Sequence, residues 1–254
     1  MKKHQNAIAA VAIALSLASC GTGKQATIAD LGGEWVITSV DGKTLSAETT
    51  PFIGINAIDG SVYGNTGCNN LIGSLDKKQK PGTVDFSRLG STRMMCADMT
   101  SERMVMGMLG KAKGYKLDGS TLTLTDANGN TVAELQKRNG KMSASSLQGE
   151  WSIIEVDGMP ADGTESAPTI WFDTKEHLTH GNAGCNTFSG EYTVGKEQAL
   201  AFGTMAVTLR MCDNMQFEQK VLKALDDVAS FGKLPSGNAG LFDETGKLLI
   251  ELAR

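Results

Sequence analysis

The chain has 254 residues, of which 24 are basic and 28 acidic, for a formal net charge of −4. It contains no run of five or more basic residues, which argues against nucleic acid as a partner. No segment approaches the roughly 20 consecutive apolar residues that a membrane-spanning helix requires, and the length suits one large domain or two of ordinary size.

In chain order, Met1-Lys2-Lys3-His4 and the short apolar run Ala7 to Leu17 have the pattern of a secretion leader. The run ends in Leu17-Ala18-Ser19-Cys20. This resembles a bacterial lipobox: a branched apolar residue and two small ones fit the peptidase cleft, and the cysteine thiol becomes the lipid-bearing thioether. Residues 1–19 are thus expected to be a cleaved leader, Cys20 the lipidation site, and 20–26 a tether. Attachment to the membrane would be through that lipid, in the outer membrane and facing the periplasm, since Gly21 to Gln25 carry no acidic cluster. Without the leader, 22 basic residues face 28 acidic ones, a net of about −6.

The remainder is a tandem repeat at an offset of 116 or 117 residues. Leu31-Gly32-Gly33-Glu34-Trp35 recurs as Leu147-Gln148-Gly149-Glu150-Trp151, and Val40-Asp41-Gly42 as Val156-Asp157-Gly158. Gly67-Cys68-Asn69 recurs as Gly184-Cys185-Asn186, and the segment Thr92 to Cys96, with Met95, as Thr208 to Cys212, with Met211. Two domains, 27–138 and 146–254, are predicted, joined by a small polar linker at 139–145.

Within each unit, Trp35 to Val40 is aromatic and β-branched and predicts a strand, with Asp41-Gly42 as the turn that ends it. Ile170-Trp171-Phe172 and Leu248-Leu249-Ile250 predict strands in the second unit. Thr121 to Thr125 alternates strictly, and Asp126 to Gly129 returns the chain as a hairpin. Phe217, Val221, Ala224, Leu225 and Val228 recur at helical steps, as do Val105, Met108, Leu109 and Ala112. Asp98 and Asn214 are expected caps, and Glu102 and Glu218 are expected to oppose the helix dipole from the first turn. The fold class is therefore mostly β: two tandem small antiparallel sheets or barrels, each capped by one helix.

Four cysteines remain beyond Cys20 and admit three pairings. Duplication in an oxidising compartment favours Cys68–Cys96 and Cys185–Cys212, each domain closing itself. Metal binding is the rival. His177 and His180 are read as surface residues on one strand, and the methionines clustered around Cys96, from Met94 to Met108, as flexible core filling rather than a copper site. No catalytic, metal or cofactor residue is assigned, because no Ser-His-Asp set and no histidine repeats between the units.

The Leu-x-Gly-x-Trp start, the Gly-Cys-Asn bend, the Thr-x-x-Met-Cys segment and the glutamate-bearing helix together resemble the META domain of HslJ-like lipoproteins, over both units. The resemblance implies a compact antiparallel β fold with one helix, no established reaction, and a loose link to envelope stress (heat shock), antibiotic tolerance and secretion. The second unit departs by moving the arginine from the place of Arg93 to Arg210. The functional expectation is a non-catalytic envelope module binding an envelope component or protein partner. The alternative is a carrier that holds a small lipophilic ligand in a barrel cavity.

Overall fold

The computed structural model describes residues 25–47, 49–212 and 215–254. Cys20, the leader and the expected cap Asn214 lie outside the described residues. The first unit runs β1 (Gly33–Val40), β2 (Lys43–Thr44), β3 (Phe52–Ile55), β4 (Ser61–Asn65), β5 (Asn70–Ser74), β6 (Gly90–Ser91), α1 (Thr100–Lys111), β7 (Gly114–Asp118), β8 (Thr121–Thr125) and β9 (Thr131–Lys137). The second unit runs β10 (Gly149–Val156), β11 (Met159–Pro160), β12 (Thr169–Asp173), β13 (Leu178–Asn182), β14 (Thr187–Val194), β15 (Leu200–Phe202), β16 (Ala206–Val207), α2 (Gln216–Asp227), β17 (Ser230–Lys233), β18 (Ala239–Phe242) and β19 (Leu248–Ala253).

Each unit is one antiparallel sheet, ordered β6-β5-β4-β3-β1-β9-β8-β7 in the first and β15-β14-β13-β12-β10-β19-β18-β17 in the second. The bridge Ala199↔Ser230 joins the residue before β15 to β17, bringing the two ends of the second sheet together, and in the first unit Thr83, in the loop after β5, bridges Gly114 of β7. Such pairing shields part of the edges that would otherwise template aggregation. Both first strands carry a bulge at the same place, between Ile37 and Ser39 and between Ile153 and Glu155; the extra residue adds local twist, which helps a short sheet to curl.

The motif Leu-x-Gly-x-Trp has a structural cause. Leu31 and Leu147 end 3₁₀ turns (Ile28–Leu31 and Ala144–Leu147), and their carbonyls accept the indole N–H of Trp35 at 2.7 Å and of Trp151 at 2.8 Å. The buried indoles thus keep a partner while their rings fill the core. In α1, Val105, Met108 and Leu109, followed by Ala112, are buried against the sheet, and in α2 Phe217, Val221, Ala224 and Leu225, followed by Val228, do the same. The interior of each sheet is filled: Leu71 and Leu75 in the first unit and Phe188 and Tyr192 in the second are all buried. Among the described residues no helix is long and apolar enough to cross a membrane.

Some local expectations change. His177 sits at φ +57° in the turn before β13, not on the strand with His180, because the chain must reverse between Asp173 and Leu178. Asp98 does not occupy the N-cap of α1, which is Met99; it accepts the Thr100 N–H from one residue further out, at 2.7 Å. Met94 and Met95 are exposed, so the core-filling role holds for Met108 and, partly buried, for Met104 and Met106.

The two units touch. Leu248 N–H donates to Glu34 Oε1 at 3.2 Å, and a Cβ on Gly246 would meet Gly33 Cα at 2.8 Å, so backbone lies against backbone. Gly140 of the linker pairs with Lys233. Glu34 is 3% exposed, whereas its repeat copy Glu150 is exposed. The junction has also shaped the sequence. The cross-strand pair Val36/Phe52 corresponds to Ser152/Thr169, and the pair Phe242/Leu248 to Thr125/Thr131. Leu248 bonds Glu34 across the junction and lines the cleft there with Phe52, so each apolar pair has a member where the units meet, and hydroxyl pairs stand at their copies.

Candidate functional site

The site is the bend before β5 or β14 together with the segment bonded to it by sulfur. At the bend Gly67 and Gly184 adopt φ +102° and +103°, a region that L side chains rarely enter. A Cβ on Gly67 would also crowd Ala47 and Ser101 at 3.1 Å. Asn65 Oδ1 and Asn182 Oδ1 each accept the N–H of that glycine at 2.7 Å.

The next two residues divide the work. Cys68 and Cys96 form a disulfide with Cα atoms 6.0 Å apart, and Cys185 and Cys212 one with Cα atoms 6.2 Å apart. Asn69 and Asn186 are buried hubs. Asn69 Oδ1 accepts from Thr92 Oγ1 at 2.7 Å and from Met94 N–H at 2.6 Å, and its amide Nδ2 donates to Met94 O and to Glu102 Oε2. Asn186 repeats the pattern with Thr208 Oγ1, Arg210 N–H, Arg210 O and Glu218. The asparagines act through backbone bonding; neither adopts positive φ.

Glu102 and Glu218 are more than dipole partners. Both are buried, and Asn69 N–H and Asn186 N–H donate to them at 3.1 and 2.8 Å. A carboxylate kept from water needs such donors, since leaving it without them costs far more than an ordinary missing hydrogen bond. In the first unit Thr66 Oγ1 adds a further donor at 2.8 Å; Ala183 stands there in the second. The sequence pattern placed these glutamates in the first helical turn but held no sign that each reaches an asparagine more than thirty residues earlier.

The result is a rigid base and a bare tip. Met94 is 51% exposed and Met95 94%; Leu209 is 96% and Met211 98%. Arg93 and Arg210 are exposed beside them. By their bonds to the asparagine, Met94 and Arg210 are the matching positions, so the guanidinium sits one residue along in the second tip. Arg210 pairs with Glu165 at 3.4 Å, but both are exposed, and such pairs contribute little. Glu165 also lies near Cys185 and Cys212, a grouping that could suggest a metal centre. Both sulfurs are bonded to each other, so they offer neither thiolate ligands nor a thiol nucleophile.

A model of the META domain matches residues 26–139 and again 145–247. The chain belongs to the META domain family. Two solved structures resemble it. One is titled "NMR structure of the protein"; it is 26% identical over 41% of this chain and 88% of its own, with a TM-score of 0.34. The other is an NMR structure of a protein from Burkholderia xenovorans, 18% identical over 54% of this chain and 97% of its own, also with a TM-score of 0.34. No curated protein matches the chain. The META motif residues thus fall into one assembly per domain: bend, disulfide, asparagine hub, buried glutamate and exposed tip.

Proposed function

We propose that this tandem META protein is a non-catalytic module of the cell envelope, held by a lipid on Cys20, that binds a protein partner through its two methionine-bearing tips. The observation that carries the reading is the exposure of Met95 and Met211 on segments that are otherwise held rigidly. Single exposed apolar side chains are common, but here they come together on one segment, Met94 with Met95 and Leu209 with Met211, and contiguous apolar surface marks interaction sites. Here the disulfide and the asparagine hub fix the backbone beneath them, so little ordering entropy is lost on binding. Methionine suits such a role because its flexible thioether adapts to varied partner surfaces. Two tips on one chain would raise avidity through effective concentration.

The carrier alternative has less support. Its ligand would need space inside a sheet, and side chains fill both interiors. A cleft of about 630 Å³ lies between the domains instead, and it is lined by charged groups including Glu34, Arg138, Glu155 and Lys247.

A photo-crosslinking residue placed at Met95 or Met211 in living cells tests the proposal. A discrete adduct from both positions, missing when the crosslinker sits at Gly129 in the far hairpin, supports it. Equal labelling from all three positions removes it. Mass spectrometry of the membrane-extracted protein tests the anchor, through the lipid mass on Cys20.

A further inference from the structure

The outer face of the second sheet presents an aromatic pair that neither the fold nor the tips explain. Cross-strand register places Glu150, Trp171, His180 and Ser189 in one row across β10, β12, β13 and β14. The neighbouring row is Ser152, Thr169, Asn182 and Thr187. The Trp171 indole stacks on the His180 imidazole, with ring centres 4.8 Å apart and planes 26° from parallel. His180 is exposed and Trp171 half-buried, whereas Trp35 and Trp151 are core residues at 1% and 6% exposure.

The first domain gives the contrast. Its matching row reads Glu34, Gly54, Tyr63 and Ile72, and Tyr63 lies flat over Gly54 and donates to the buried Glu34 at 3.1 Å. That end of the face is occupied by the second domain's hairpin. In the second domain the same face is open, yet it has gained a tryptophan where the first has glycine. An open cleft of about 540 Å³ runs beside His180, walled by Thr169, Asn182, Thr187, Ser189 and Thr208. Its walls combine those hydroxyl and amide groups with the apolar Phe188, Ala206 and Val207; His180 is their ionisable side chain, and Trp171 stands beside the cleft, across from His180, rather than in its wall.

We propose that this face of the second domain is a glycan-binding platform, taking a neutral saccharide whose ring stacks on the Trp171–His180 pair and whose hydroxyls bond the threonine, serine and asparagine side chains along the cleft. One face of a pyranose is a flat array of C–H bonds, and it matches an aromatic plane much as an apolar side chain does. Its hydroxyls both donate and accept, as do the hydroxyl and amide groups set around the pair. The cleft lies in the size range of small-molecule sites. The cleft has no lysine or arginine, and the exposed Glu150 stands next to Trp171 in the row, which disfavours a phosphate. The cleft meets the second tip's segment at Thr208, whose hydroxyl is already bonded to Asn186, but the aromatic pair lies on β12 and β13, so the two proposals are tested at different residues.

The test uses the full mature chain and two probes, an oligomer of β-1,4-linked N-acetylglucosamine and maltotriose. Because Trp35 and Trp151 are in the cores, a ligand on this face should change tryptophan emission through Trp171. The expected result for at least one probe is a saturable millimolar change, with amide NMR shifts confined to β12, β13 and β14. Trp171→Ala should weaken binding by at least about tenfold, the usual cost of losing an anchoring aromatic, while the circular dichroism spectrum stays unchanged. Ser189→Ala, which keeps both rings and leaves the Asn182 bend intact, should weaken it less. The proposal is overturned by the absence of a saturable response to either probe, by shifts gathered at Met95 and Met211, or by unchanged affinity in Trp171→Ala. Self-association abolished by Trp171→Ala, with no saccharide response, would also overturn it and assign the face to a second copy of the chain.

Discussion

At the scale of single residues, the paired carboxylates have unequal support. Among the described residues Glu218 receives its donors from Asn186, whereas Glu102 also receives Thr66 Oγ1. Asn186→Ala keeps only the backbone N–H of that residue on Glu218 and should destabilise its domain by roughly 1–3 kcal/mol, the cost of a buried polar group losing partners; Asn69→Ala should cost less. Hydrogen exchange read separately on the two units measures the difference; equal losses would mean that Thr66 contributes nothing. Glu34 makes a second case. Burial raises its carboxyl above the ordinary glutamate value, and Arg138 at 2.7 Å offsets that only in part. A carboxyl raised on folding favours the folded state below its unfolded pKa, and that contribution is lost as pH climbs through the folded value. Glu34→Gln keeps the shape and cannot ionise. Its melting temperature relative to wild type should rise between pH 4 and pH 7; a flat difference would show that burial does not govern this group.

At the scale of elements, the disulfides and helices invite different changes. Each disulfide closes a loop, of 28 and 27 residues in sequence separation, and breaking one should cost about 3–4 kcal/mol in the chain-entropy model. It should also free the tip above it, so that Cys185→Ser/Cys212→Ser loses crosslinking at Met211 while Met95 keeps it. Helix α1 holds Gly107 and Gly110 on its exposed side, where an added Cβ meets nothing within 4 Å. Replacing either by alanine should stabilise the first domain by about 0.5–1 kcal/mol, seen as a higher melting temperature; a loss would mean that the helix needs those glycines for a contact outside this chain. The elements were largely legible in the sequence because period and turn chemistry are local signals. Leu122 and Leu124, the Asp41-Gly42 turn and the Phe217-to-Val228 stripe fall where patterning put them. The tips were not legible. Methionine beside cysteine reads as core filling, and only the asparagine hub, a contact between distant segments, shows that those side chains point outward.

At the scale of the whole molecule, the duplication was readable from self-similarity, but the junction between units was not. Its residues differ from their copies in hydroxyl against hydrocarbon, and that difference acquires meaning only once the faces are known to meet. A matched pair of substitutions isolates the junction. Gly246 and Gly129 share φ of +82° and +84°, but only Gly246 lies against another domain. Gly246→Ala should cost about 1–3 kcal/mol more than Gly129→Ala through overpacking alone, and small-angle scattering should show a longer particle. Equal costs with unchanged dimensions would mean that the units do not dock in solution.

The cross-strand pairs also give the chain a direction. Val36 with Phe52 and Phe242 with Leu248 suit only the arrangement in which the amino-terminal copy offers its first strands and the carboxy-terminal copy its last hairpin. A transposed gene, encoding the same two halves in reverse, would press serine and threonine together at the seam and leave hydrocarbon facing water at both outer ends. The halves descend from one ancestor, yet they are no longer interchangeable parts.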